Sequence, residues 1–222
     1  MDVVTTLSAF VELGARWVLW LLIALSVAGL AVIVERALFL VGTREKVSEL
    51  RAELASHIEA SSTRPSALGL ALRRLSESPS TEARLTAAAL RGGSSTGALA
   101  RVDAERALER LRLERGVSFL GTLATAAPFV GLLGTVIGIV AAFHQLAQSQ
   151  GRLTGALMSE IGEALVATAV GLLVALPALA AFNAFQRIIV VRLTRGEALA
   201  RETLATLGWE ASTPDAQNAE GG

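Results

Sequence analysis

The sequence predicts an all-α membrane protein with three transmembrane helices, the second and third extended into the cytoplasm as a helical bundle. Three observations predict it. Charged residues make up 18% of the 222-residue chain, yet they almost vanish from three long stretches. Basic residues crowd into the segments between and beyond those stretches. Where charge is plentiful, apolar residues recur at the three- and four-residue spacing of helices.

Residues 1–16 hold a single basic residue, Arg16, and are expected on the periplasmic side. The first span covers 17–41. Trp17 to Val34 carries no charge, and after Glu35-Arg36 the apolar character resumes through Val41. About 20 apolar residues suffice to cross a hydrocarbon core roughly 30 Å thick. The stretch is too long for a signal-peptide h-region and lacks a basic n-region, so it is expected to be a retained, lipid-facing anchor.

Residues 42–115 form the cytoplasmic region. Val47, Leu50, Leu54 and Ile58 share one helical face, and Leu68, Leu72 and Leu75 share another. Breaks are expected at 61–65, at Ser78-Pro79-Ser80 and at 92–97. From Ala98 onward, one long helix is expected to run on into the second span.

The second span covers 116–143 and contains the uncharged run Val117 to Phe143, 27 residues long. A short periplasmic loop, 144–153, leads to the third span, 154–186, which contains 23 uncharged residues from Ala164 to Gln186. A cytoplasmic helix follows at 187–209. The polar tail 210–222 is expected to be disordered.

Charge sets the orientation. Arg44 to Arg115 holds 13 basic residues and Arg187 to Arg201 four, whereas the 144–153 loop holds only Arg152. By the positive-inside rule the N-terminus lies outside and the C-terminus inside.

Several function classes are excluded. There is no cysteine, and His57 and His144 are far apart without ligand-like neighbours. No metal or cofactor is therefore expected. A net charge of zero gives no bulk attraction to nucleic acid. Gly92-Gly93 lacks the lysine of a phosphate-binding loop. No nucleophile–base pair points to an enzyme.

The second and third spans are patterned. At about 100° per residue, Gly121, Ala124, Pro128, Gly131, Gly138 and Ala142 fall within about 60° of Thr135, while Phe129, Leu133 and Ile137 point elsewhere. In the third span, Ala164, Thr168, Gly171 and Ala175 share a line that Ala178 and Phe182 extend. Small residues let helices approach closely in lipid, and hydroxyls find partners across the contact. Pro177 interrupts the third helix at a depth where neighbours or water must compensate. Such a stripe serves plain helix packing or the wall of a pore, and periodicity does not separate the two. Glu160 and Glu163 stand near the outer end of the third span. A carboxylate there is a functional candidate because it is costly to place, and the residues alone do not choose between the two acids.

The run Ala127-Pro128-Phe129-Val130-Gly131-Leu132-Leu133-Gly134-Thr135-Val136-Ile137-Gly138-Ile139 resembles the second-helix signature of TolQ/ExbB proteins, within the MotA/TolQ/ExbB proton channel family. Ile161 to Leu172, continuing through Ala175-Leu176-Pro177-Ala178 to Asn183, is similar to the third-helix signature. Glu35-Arg36 also fits. The resemblance implies a multi-pass subunit of the bacterial inner membrane, a proton-conducting stator that assembles as a homopentamer. The ring would enclose an ExbD/TolR-like single-span partner, whose membrane aspartate accepts the proton and whose periplasmic part passes force outward. Three spans favour TolQ/ExbB over the four-span MotA.

The channel-lining threonines map to Thr135 and Thr168, and the third-helix glutamate to Glu163. Pro128, Gly131, Gly134, Gly138, Ala164, Gly171, Ala175 and Pro177 are expected to pack the helices or line the pore. Gly162 departs from a common alanine. The machinery driven would be TonB-type uptake, Tol-type envelope maintenance or gliding motility. The competing class is a non-conducting membrane scaffold.

Overall fold

The computed structural model describes residues 16–43, 47–61, 66–92, 95–149 and 152–208, and every regular element among them is an α-helix. In chain order these are α1 (Arg16–Gly42), α2 (Val47–Ser61), α3 (Ser66–Glu77), α4 (Thr81–Leu90), α5 (Ser95–Glu114), α6 (Val117–Gln148) and α7 (Gly155–Thr206). Three of them, α1, α6 and α7, contain stretches long and apolar enough to cross a membrane. At 1.5 Å per residue, the 52 residues of α7 extend about 78 Å, more than twice the thickness of a hydrocarbon core. The helix runs unbroken across 186/187, where the third span was expected to give way to a cytoplasmic helix. The N-terminal 1–15 segment and the tail expected to be disordered lie outside the described residues.

The expected continuous helix from Ala98 into the second span is corrected. Helix α5 stops at Glu114, and Gly116 takes φ +76°, a left-handed conformation that favours a residue without a Cβ. Helix α6 then starts afresh at Val117.

The chain divides into two compact units, 1–38 with 116–186 and 39–115 with 187–222. The first is built from α1 up to Leu38, α6 and the first part of α7. Its interior is small or modest in size: Val18, Leu22, Leu123, Ala124, Ala127, Ile137, Val174, Ala175 and Ala178 form one cluster. Bulky residues such as Trp20, Leu30, Phe129, Leu165 and Leu173 are exposed on its outside. Helices that remain apolar on their outward faces suit a lipid solvent.

Two expectations change here. The first span is more than a lipid-facing anchor: Val18 and Leu22 are fully buried, and Leu123 packs against Gly29 so closely that a Cβ there would lie 2.5 Å from its Cδ2. Ile137, expected to point away from the stripe, is buried in the same cluster as Val18 and Leu22 of α1, so the packed arc of α6 is wider than the small-residue stripe.

The second unit has a water-type core. Helix α2 packs on α3, α3 on α4, and α4 on α5. Leu50, Leu54, Ala71, Leu75, Ala83, Ala87, Leu90 and Leu199 form its apolar cluster. The break at Ser78-Pro79-Ser80 becomes the start of α4, where the Ser80 hydroxyl accepts a hydrogen bond from the Ala83 N–H. Beside that helix start lies the buried carboxylate of Glu109. It accepts from the Thr81 hydroxyl at 3.1 Å, from Arg84 at 3.2 Å and from Arg112 at 3.4 Å. A helix N-terminus favours a nearby anion, and the two guanidinium groups offset its burial. Buried Arg192 on α7 closes the end of α1 by donating to the Leu40 carbonyl and, at 2.8 Å, to the Thr43 hydroxyl.

Candidate functional site

The stripe on α6 meets the stripe on α7 within the first unit. A Cβ on Gly131 would stand 2.7 Å from the Ala167 carbonyl oxygen, and one on Gly171 would stand 2.7 Å from the Ala127 carbonyl oxygen. The two helix backbones therefore touch, which glycine alone permits at these positions. Gly134 faces Ala167 on α7 and Val18 on α1, so it sits where three helices converge. Gly138, Ala164 and Ala175 are buried in the same unit. Pro128 is half-buried within α6, and Pro177 is exposed on α7. At the other end of this contact the Phe182 ring lies on Gly121, 2.9 Å from where a Cβ would be.

The close approach brings Thr135 and Thr168 together. Thr168 Oγ1 lies 3.3 Å from Thr135 Oγ1 and 3.1 Å from the Gly131 carbonyl oxygen. Thr135 in turn donates to the Leu132 carbonyl at 2.7 Å. A hydroxyl has one proton, so Thr168 donates either to the Gly131 carbonyl or to the Thr135 hydroxyl. The pair thus has two hydrogen-bonding arrangements. Thr135 is buried and Thr168 half-buried. Neither hydroxyl is an acid, and no Asp, Glu, Lys, Arg or His occurs from Val117 to Phe143 or from Ala164 to Gln186.

Near the first turns of α7, the structure separates the two acids. Arg16, the first residue of α1, makes a forked pair with Glu163: Nε to Oε2 at 3.1 Å and Nη2 to Oε1 at 3.2 Å. Glu160 is half-buried on the same helix. In the sequence Arg16 is only a lone basic residue beside a span. Its isolation was the available signal, since a single cation at the edge of an apolar run calls for a nearby anion. His144 is exposed on α6. Glu35 and Arg36, on α1, pair with each other at 2.6 and 2.9 Å.

Comparison with known proteins gives this arrangement a context. Residues 77–197 match the family model of the MotA/TolQ/ExbB proton channel family, more than half of the chain. The chain belongs to that family. The MotA/TolQ/ExbB proteins are channel and stator proteins rather than enzymes, and they are inner-membrane proteins. Among curated relatives, the biopolymer transport protein ExbB of Xanthomonas campestris pv. campestris is 44% identical over 80 residues, covering 36% of this chain and 32% of the relative. The Tol-Pal system protein TolQ of Pseudomonas aeruginosa is 38% identical over 107 residues, covering 48% of this chain and 46% of the relative. An ExbB of Neisseria gonorrhoeae is 46% identical over 76 residues, covering 34% of each. The chain thus spans between a third and a half of the length of these MotA/TolQ/ExbB relatives.

Proposed function

We propose that this chain is the proton-conducting stator subunit of a TolQ/ExbB-type motor in the bacterial inner membrane, N-terminus outside and C-terminus inside. Five copies surround the membrane helices of an ExbD/TolR-like single-span partner. Thr135, Thr168 and Glu163 contribute to the ion path. The partner supplies the mid-membrane acid, because the α6 and α7 spans have hydroxyls there and no carboxylate. Proton flow moves the two components relative to each other, and the partner passes the force to envelope machinery for TonB-type uptake, Tol-type maintenance or gliding.

The observation that carries this reading is the meeting of the Thr135 and Thr168 hydroxyls, 3.3 Å apart at a backbone-close helix contact. Their two hydrogen-bond arrangements are suited to handing on a proton or ordering a water beside the partner's acid. The test is the double variant Thr135→Ala with Thr168→Ala, expressed with the partner. Proton-driven function is expected to be lost while the complex assembles at wild-type yield. Normal activity would exclude the conducting role.

A second reading has its own observation. Both hydroxyls also have backbone carbonyls within hydrogen-bonding distance at the same contact, which is what a packing threonine does in a non-conducting scaffold. Transmembrane side-chain hydrogen bonds of this kind average about 0.6 kcal/mol. Loss of assembly in the double variant would favour that reading.

A further inference from the structure

Glu163 does not stand free at its end of the bundle. Both of its oxygens are taken by the Arg16 guanidinium, at 3.1 and 3.2 Å, in a two-point pair between residues 147 positions apart. A forked arginine–carboxylate pair fixes the orientation of the carboxylate as well as its distance. So held, Glu163 is turned toward α1 and its charge is neutralised locally. While the pair lasts, each oxygen has one acceptor site occupied and a passing cation meets a carboxylate already paired with a guanidinium.

The two halves differ in exposure. The Arg16 side chain is 74% exposed and that of Glu163 is 29% exposed, so the arginine is the half free to swing. Glu160, three residues earlier on α7, also acts on Arg16 electrostatically. A second anion thus waits about one helical turn away for a guanidinium that leaves the first.

We propose that Arg16 is a positioning residue that gates Glu163: paired with it, Arg16 holds the outer end of the ion path closed, and its transfer toward Glu160 opens it. This rests on the conducting role proposed above. The device explains why the third span has two acids at one end while only one is paired with arginine.

The chain has no cysteine, so a single introduced thiol is uniquely addressable. The full chain is reconstituted with its single-span partner, itself free of cysteine, in phospholipid vesicles. Basal proton flux is read with a trapped pH dye under an imposed gradient. Arg16→Cys is expected to raise basal flux roughly fivefold or more, because the closed population loses its tie. A cationic methanethiosulfonate should return flux toward the wild-type value, whereas an anionic reagent of similar size should not. A purely structural role would not distinguish the two charges. Arg16→Lys keeps the charge without the fork and is expected to leak no more than about twofold.

Wild-type flux in Arg16→Cys, equal effects of the two reagents, or a lysine leak as large as that of cysteine would each overturn the gate. Glu163→Gln and the Thr135→Ala/Thr168→Ala pair are measured in the same vesicles. If these leave flux unchanged, the conducting role fails and the gate with it. If they lower flux while Arg16→Cys behaves as wild type, only the gate fails.

Discussion

The two units of this chain build their interiors differently, one around glycine contacts between helix backbones and the other around leucine. In the unit made of 1–38 and 116–186, Gly131, Gly134, Thr135 and Gly171 lie inside beside Val18, Leu22 and Leu123, and Trp20, Leu30, Phe129, Leu165 and Leu173 lie outside. In the unit made of 39–115 and 187–222, Leu50, Leu54, Leu75 and Leu199 lie inside, and most arginines and glutamates face outward. The difference follows from solvent. In water, burying a large apolar side chain contributes about 1.5–3 kcal/mol. In lipid, the surroundings are as apolar as the side chain, so cohesion comes from close backbone approach and interhelical hydrogen bonds. The same residue type therefore has a different value in each unit, and substitutions can expose that difference.

The largest effect is expected at the glycine contact. Gly131→Leu or Gly171→Leu would drive a side chain into a backbone carbonyl that a Cβ alone would already approach to 2.7 Å. No rotamer relieves a clash made at the Cβ itself. We expect loss of the assembled protein in detergent, read as the absence of a monodisperse peak by size exclusion. A normal peak would mean that α6 and α7 do not approach through these glycines.

A smaller effect is expected from leucine, and it should depend on the unit. Leu75 is 1% exposed, and Leu75→Ala should cost about 2–5 kcal/mol through the cavity it leaves. Hydrogen exchange should rise in α2, α3 and α4 while the α6 contact stays protected. Leu173 is 70% exposed, and Leu173→Ala should cost less than about 1 kcal/mol in the isolated chain in detergent. Equal costs would break the comparison.

The smallest effect reverses sign. A Cβ on Gly69, exposed on α3, would meet nothing within 4 Å. Gly69→Ala should stabilise the chain by about 0.5–1 kcal/mol through helix propensity, read as a rise in thermal midpoint. Gly162 on α7 is equally open, consistent with the alanine common at that position in the family resemblance. Gly131 and Gly69 thus test whether glycine is needed for approach or merely tolerated.

Much of the architecture was legible from residues alone. Uncharged run lengths located α1, α6 and α7, and the 100° projection placed Gly131, Thr135, Thr168 and Gly171 on their stripes. The Ser78-Pro79-Ser80 signal marked the start of α4. Other features were not legible. The arginine- and glutamate-rich segment from Ala98 looked like one helix with the second span, because a single Gly116 does not announce a positive φ. Glu109 looked like one surface acid among many, yet it is buried with Thr81, Arg84 and Arg112.

By itself, the sequence determined the helical class, the three apolar spans, the small-residue faces and the family resemblance, because these depend on composition and on periodicity along a single helix. Only the tertiary structure decided which faces meet: Gly131 against the α7 backbone, Thr168 beside Thr135, α1 wedged in through Val18, and Arg16 on Glu163 rather than on Glu160. Periodicity gives a residue its direction around its own helix axis. It contains no information about which distant helix stands in that direction, and a pair 147 residues apart exists only once the helices have packed.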